Sequence, residues 1–103
     1  MDSKDARTIA WIFFAISFWD NNPVTRLEIM HSADAINHLQ PLESEMDLAL
    51  GFLVQHDLVQ QTGDSFSLTQ IGQTCIDQAS VNSGNVYDTM KALQPFVLSY
   101  RAV

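Results

Sequence analysis

Basic residues are what this 103-residue sequence has least of: five lysines and arginines stand against twelve aspartates and glutamates, a formal charge of −7. Association with phosphate or anionic lipid draws on Lys and Arg, so this balance disfavours both and fits basic or neutral protein partners. There is one cysteine, Cys75, and hence no internal disulfide. No amino-terminal signal pattern precedes the first apolar run, so a reducing cytoplasm is the expected compartment. That run, Ile9 to Trp19, has eleven residues, against the ~20 that span a bilayer, and reads as a buried helix with no membrane role. A phosphate-cradling glycine loop, a paired-carboxylate acid–base site, internal repeats and low-complexity tracts are all lacking. No enzymatic activity, catalytic residue or cofactor is therefore expected.

Nearly half of the residues are apolar, enough for one core without disulfides or metal and too few for a second domain. Ile9, Ile12, Phe13, Ile16 and Trp19 recur at helical spacing, which predicts a first helix from near Ser3 to Asp20. Phe14 and Phe18 add apolar surface elsewhere on it, so this helix is either central to the core or covered in part by another subunit. Asn21, Asn22 and Pro23 break the pattern. Thr25 and Glu28 then form a capping-box signature with Val24 and Ile29 at the staple positions, and helix two starts here, ending between Ser32 and His38.

Pro41 suits the first turn of a third helix, with Glu43 and Glu45 behind it and Leu42, Met46, Ala49, Leu50, Leu53 and Val54 on its buried side. Gly51 weakens that helix and would permit a close helix crossing. Leu58 to Thr62, the Gly63-Asp64 turn and Ser65 to Thr69 read as a hairpin with Leu58, Phe66 and Leu68 in the core. Thr69 caps a fourth helix holding Ile71, Cys75, Ile76 and Ala79, and Ser80 to Asn85 is a loop. Asn85 and Asp88 mark a last helix start, followed by a seam of Val86, Met90, Leu93, Val97 and Tyr100. Pro95 is expected to kink or divide that helix near Gln94. The fold class is thus mainly α with a small β-hairpin, one domain over residues 1–103, with its core at 3–79 and a C-terminal helix at 85–101.

The phrases Pro23 to Met30 (PVTRLEIM), Leu50 to Val59 (LGFLVQHDLV) and Phe66 to Gly72 (FSLTQIG), in this order, resemble the winged helix-turn-helix superfamily, in particular the bacterial multiple-antibiotic-resistance and phenolic-acid-type regulators. The resemblance covers about two thirds of the chain. It implies a winged helix-turn-helix with an additional C-terminal helix, in which the helix over Leu42 to His56 is the recognition helix and the hairpin around Gly63 is the wing. Fold does not settle function. Between Thr25 and Thr69 the only basic residue is Arg26, against Glu28, Asp34, Glu43, Glu45, Asp47, Asp57 and Asp64. Glu43, Glu45 and Asp47 would face a polyanion where arginine or lysine is the usual contact to guanine and phosphate.

These three acids are accordingly the candidate protein-partner contacts, and Val86, Met90, Leu93, Val97 and Tyr100 are the candidate dimer interface. The seam has two readings, packing on the chain's own first helix or forming a homodimer, and the surplus apolar surface of Ile9 to Trp19 favours the homodimer. His31, Asp34 and His38 share a face if helix two runs that far, yet a turn near Ser32 would separate them, and surface histidines are preferred to a metal site. His56 reads as a helix-end residue, and Cys75 as a small buried side chain with no basic neighbour to activate it. The leading expectation is a non-enzymatic domain acting through protein contacts. Its rivals are a transcription regulator that meets DNA through a dimer or another face, using Lys4, Arg7, Lys91 and Arg101 at the chain ends, and an acidic inhibitor that occupies a basic nucleic-acid site on a partner.

Overall fold

The computed structural model describes residues 3–19, 23–81 and 83–100. Helix α1, Ser3–Ser17, is the axis of the fold. Ala6, Ile9, Ala10, Ile12, Phe13, Ala15 and Ile16 are all fully buried, so the helix is covered on more than one side. The cover comes from the same chain: α1 packs on α2, Arg26–Asn37, on α3, Glu43–Gln55, and on α5, Val86–Ser99. Helix α1 stops at Ser17; Asp20, Asn21 and Asn22 lie outside the described residues.

A two-residue strand that periodicity did not reveal, β1 at Val24–Thr25, precedes α2. It pairs antiparallel with β3, Ser65–Leu68, which also pairs with β2, Val59–Thr62, giving a sheet in the order β1-β3-β2. Thr25 is therefore both a ladder residue, opposite Ser65, and the N-cap of α2. Its hydroxyl accepts from the Glu28 amide at 3.2 Å, and the Glu28 carboxylate accepts from the Thr25 amide at 2.9 Å. The helix runs on to Asn37 and closes at His38 in the left-handed region, φ 56°. Two buried hydrogen bonds tie α2 to α1: the Ser32 hydroxyl donates to the Ala15 carbonyl at 2.9 Å and the Trp11 indole to the Ala33 carbonyl at 3.0 Å.

Pro41 does not open α3. Leu42 is the N-cap, and because leucine has no capping oxygen the start is held from inside the helix, by the Glu45 carboxylate accepting from the Leu42 amide at 2.8 Å. At the other end Asp57 takes a left-handed φ of 59°. The Asp57 amide donates to the Val54 carbonyl at 3.2 Å and the Leu58 amide to the Leu53 carbonyl at 3.0 Å, which together make a Schellman stop. Gly63 turns the hairpin with φ 60°, the backbone region that favours glycine.

Thr69 joins the hairpin to α3 and starts α4, Gln70–Ser80. Its amide donates to the Leu58 carbonyl at 3.1 Å, its hydroxyl donates to the Asp57 carbonyl at 2.6 Å, and the same oxygen accepts from the Gly72 amide at 3.0 Å. Gly72 then sits so close to Leu58 that a Cβ on it would collide with the Leu58 carbonyl. Ile71 is 55% exposed; the buried side of α4 is Gly72, Cys75, Ile76 and Ala79.

The Asn85 side chain caps α5 by accepting from the Asp88 amide at 2.9 Å. Of the two outcomes expected at Pro95, a kink or a division, the division does not occur: α5 is one helix through Pro95. The proline removes the donor for the Lys91 carbonyl, but Pro95 and Lys91 are both exposed, so water can serve that group. The candidate dimer seam packs within the chain. Met90, Leu93 and Val97 are buried inside the chain, and Val86 and Tyr100 pack half-buried against the same core, because α5 lies along α1 and α4. Gly51 also departs from its expected role: nothing approaches its Cβ position within 4 Å, so it permits no helix crossing.

The two helical glycines should therefore respond oppositely to alanine. Gly72→Ala is expected to lower the unfolding free energy by about 3 kcal/mol through overpacking against backbone, and Gly51→Ala to raise it by about 1 kcal/mol. Urea denaturation of the two variants checks both signs.

Candidate functional site

The acidic face assembles where α2 and α3 begin. Glu43 and Asp47 are one helical turn apart on α3, and Arg26 is the first residue of α2. The Arg26 Nη2 donates to Glu43 Oε2 and to Asp47 Oδ1, each at 2.8 Å, and reaches the Glu43 carbonyl at 3.4 Å. Partial burial by itself would lower the Arg26 pKa, but the hydrogen bonds and charges of the two carboxylates outweigh it and push the value up. Both carboxylates are 71% exposed. Exposed pairs contribute at most ~1 kcal/mol to stability, so the chief consequence of this cluster is its charge distribution. The single cation between Thr25 and Thr69 is held by two acids, and the face keeps a negative excess.

Glu45 belongs elsewhere. Its carboxylate turns back to the Leu42 amide, and it lines a groove beside Lys4 and Thr8 of α1 instead of joining Glu43 and Asp47. Of the three predicted partner contacts, two come together and the third is a half-buried capping residue. Sequence spacing carries a signal for this split, because Glu43 and Asp47 are i and i+4 whereas Glu45 lies about half a turn away.

Behind Asp47 an open groove of about 370 Å³ runs between α3 and the hairpin, bordered by Arg26, Gly51, Gln55, Gln61 and Phe66. Gly51 leaves its middle without a side chain, and the Gln61 amide is turned to the Gly63 carbonyl at 3.0 Å. Carboxylate oxygens at one end and side-chain amides at the other offer hydrogen bonds to a basic or polar segment. They do not form a nucleophile-and-base arrangement.

His31, Asp34 and His38 are exposed, and among the described residues no group of three His, Cys, Asp or Glu side chains is placed to hold a metal ion. His56 ends α3 as expected, but with company that sequence reasoning missed: its ring lies 4.5 Å from Phe52 and 5.1 Å from Tyr100. Phe52 and His56 are visible as a one-turn pair, whereas Tyr100 arrives from the far end of α5. Tyr100 also interacts with Cys75. Burial pushes the Cys75 thiol up, and the interaction with Tyr100 opposes this only in part. The Tyr100 hydroxyl is itself raised, by burial and then by Cys75. This arrangement holds the thiol protonated and works against a nucleophilic thiolate.

Among the described residues no helix is long and apolar enough to cross a membrane. Comparison with known proteins gives no match to any family model, curated protein or solved structure.

Cys75 and Tyr100 generate a prediction at alkaline pH. Both folded-state pKa values are raised, so the stability they contribute is complete below the ordinary values of 9.0 and 10.0 and is lost as pH rises through the folded values. Unfolding free energy measured across the alkaline range is expected to fall, and Cys75→Ala is expected to flatten the decline even though it lowers stability at neutral pH. An identical slope in the variant would contradict the assignment.

Proposed function

We propose that this chain is a non-enzymatic winged-helix domain that acts through protein contacts, offering the Glu43 and Asp47 edge of α3 and the adjoining hairpin groove to a basic or polar partner segment. The winged-helix reading is supported by the order helix, strand, helix, helix, hairpin, with the first strand joined to the returning strand of the hairpin. The observation that carries the functional reading is the clamp on Arg26: a helix presented to DNA needs uncommitted cations, and here the one available is bound to two carboxylates. Met90, Leu93 and Val97 of the candidate dimer seam lie in the chain's own core, and the acidic edge of α3 remains the proposed partner surface.

DNA contact through another face has one observation in its favour, the placement of Lys4, Arg7 and Lys91 along one side of α1; Arg101 lies outside the described residues. Three cations neutralise few phosphates, and the remaining charge of the molecule repels them.

A labelled duplex of mixed sequence, titrated at about 50 mM salt where phosphate contacts are strongest, is expected to show no saturable binding. A labelled arginine-rich peptide is expected to bind in a salt-sensitive manner and to lose about tenfold in affinity when Glu43→Gln and Asp47→Asn are combined. Saturable duplex binding, or peptide binding indifferent to the two substitutions, would reject the proposal.

A further inference from the structure

Lys4, Arg7 and Lys91 border one continuous groove. Its larger part, about 380 Å³, lies between α1, the end of α2 and α5, and is lined by Arg7 and Lys91 among others. The adjoining part shares Arg7, Trp11 and Asn37 with it and adds Lys4. A third stretch continues from Lys4 to Leu42 and Leu48. The three cations are exposed, and none forms an ion pair with a described residue, in contrast to Arg26. Two acids border the groove as well, Glu45 in both the adjoining part and the outer stretch and Asp5 in the outer stretch, and one Glu45 oxygen is engaged by the Leu42 amide.

The walls are fixed in advance. The Trp11 indole donates to the Ala33 carbonyl at 3.0 Å, and the Tyr87 hydroxyl to the Ile36 carbonyl at 3.1 Å, so both rings are tied to the closing turns of α2. Tyr87 nevertheless exposes 56% of its surface, and Leu42 exposes 65%. The groove thus alternates aromatic wall, cations and exposed leucine, on a protein whose overall charge is −7.

We propose that this groove docks an acidic amphipathic segment of a partner protein. Carboxylates of the segment meet Lys4, Arg7 and Lys91, and its apolar side chains lie against Tyr87 at one end and Leu42 and Leu48 at the other. Charge complementarity selects the occupant. Screening confines interactions between exposed charges to about 10 Å, so at contact the groove's excess of cations, three against two acids, outweighs the distant negative charge. Nucleic acid is the poorer fit because its affinity grows with the number of phosphates neutralised, and its length would bring it against the acidic remainder of the surface. The exposed leucines also suit side chains better than a sugar-phosphate backbone. This surface is separate from the α3 edge, and the inference does not depend on the function proposed for that edge.

The test uses a fluorescein-labelled peptide of alternating glutamate and leucine, with its glutamine-for-glutamate counterpart as control. The acidic peptide is expected to bind saturably, to weaken with salt, and to lose about tenfold in affinity when Arg7→Gln and Lys91→Gln are combined. The glutamine peptide should bind at least about tenfold more weakly. Amide chemical shifts should move along α1 and at Tyr87 to Gln94. The paired Glu43→Gln and Asp47→Asn variant should bind the acidic peptide as the wild type does, which separates this groove from the α3 edge. The Arg7 and Lys91 side chains make no hydrogen bond or ion pair with a described residue, so the paired variant should melt as the wild type does. No saturable binding up to about 1 mM, equal affinity for the glutamine peptide, indifference to the Arg7 and Lys91 changes, or displacement by an oligonucleotide at lower concentration than by unlabelled peptide would each overturn the proposal.

Discussion

A helix that is apolar around most of its circumference must be enclosed, and the enclosure of α1 is the constraint to which the remainder of the fold answers. Ile9, Ile12, Phe13 and Ile16 have no exposure at all. Burial of each such side chain favours folding by about 1.5–3 kcal/mol, a gain that requires cover from several directions. Helices α2, α3 and α5 supply it. This explains why the apolar seam of α5 is used within the chain: removing Leu93 and Val97 from α1 to join a second molecule would uncover the axis of the first. The same enclosure places the ends of α2 and α5 side by side, so that Tyr87 reaches Ile36 and the basic groove forms over Trp11.

A second set of contacts fixes the hairpin relative to α3. The turn after α3 offers the Asp57 and Leu58 carbonyls, and Thr69 answers both while capping α4. Gly72 lets α4 lie directly on the Leu58 backbone. The hairpin is held at the far side by β1, whose Thr25 also caps α2. The groove between α3 and the hairpin is consequently bounded by elements joined at both ends, and the Arg26 position within it is set by the same residue pair that starts α2. Local capping and long-range position are linked here through single side chains.

That link defines what could be read from the sequence. Starts governed by three-residue chemistry were visible: Thr25 with Glu28, Thr69 ahead of α4, and Asn85 with Asp88 all cap as their spacing implies. The Gly63 turn and the mainly helical character with a small hairpin were visible as well. Features made by distant residues were not. Strand β1 is two residues long and exists because β3 lies beside it; Ile71 is exposed because α4 turns Gly72 toward Leu58; α5 passes Pro95 because its buried side is already committed to α1 and α4. The candidate site was legible as a negative segment, but the clamp on Arg26 and the departure of Glu45 from that face depend on how α2 meets α3.

Charge is segregated on this molecule more sharply than its composition requires. Arg26 is paired with neighbouring carboxylates. Lys4, Arg7 and Lys91 instead gather on one groove without a described ionic partner, beside aromatic rings anchored by their polar atoms. Leaving like charges together costs electrostatic energy that separate pairing would remove. The aromatic anchoring makes the groove's shape independent of those charges, so their substitution alters recognition while the enclosure of α1 stands. Stability and recognition therefore rest on different residues of the same two helices: the inward faces of α1 and α5 close the core, and their shared outer edge carries the positive charge.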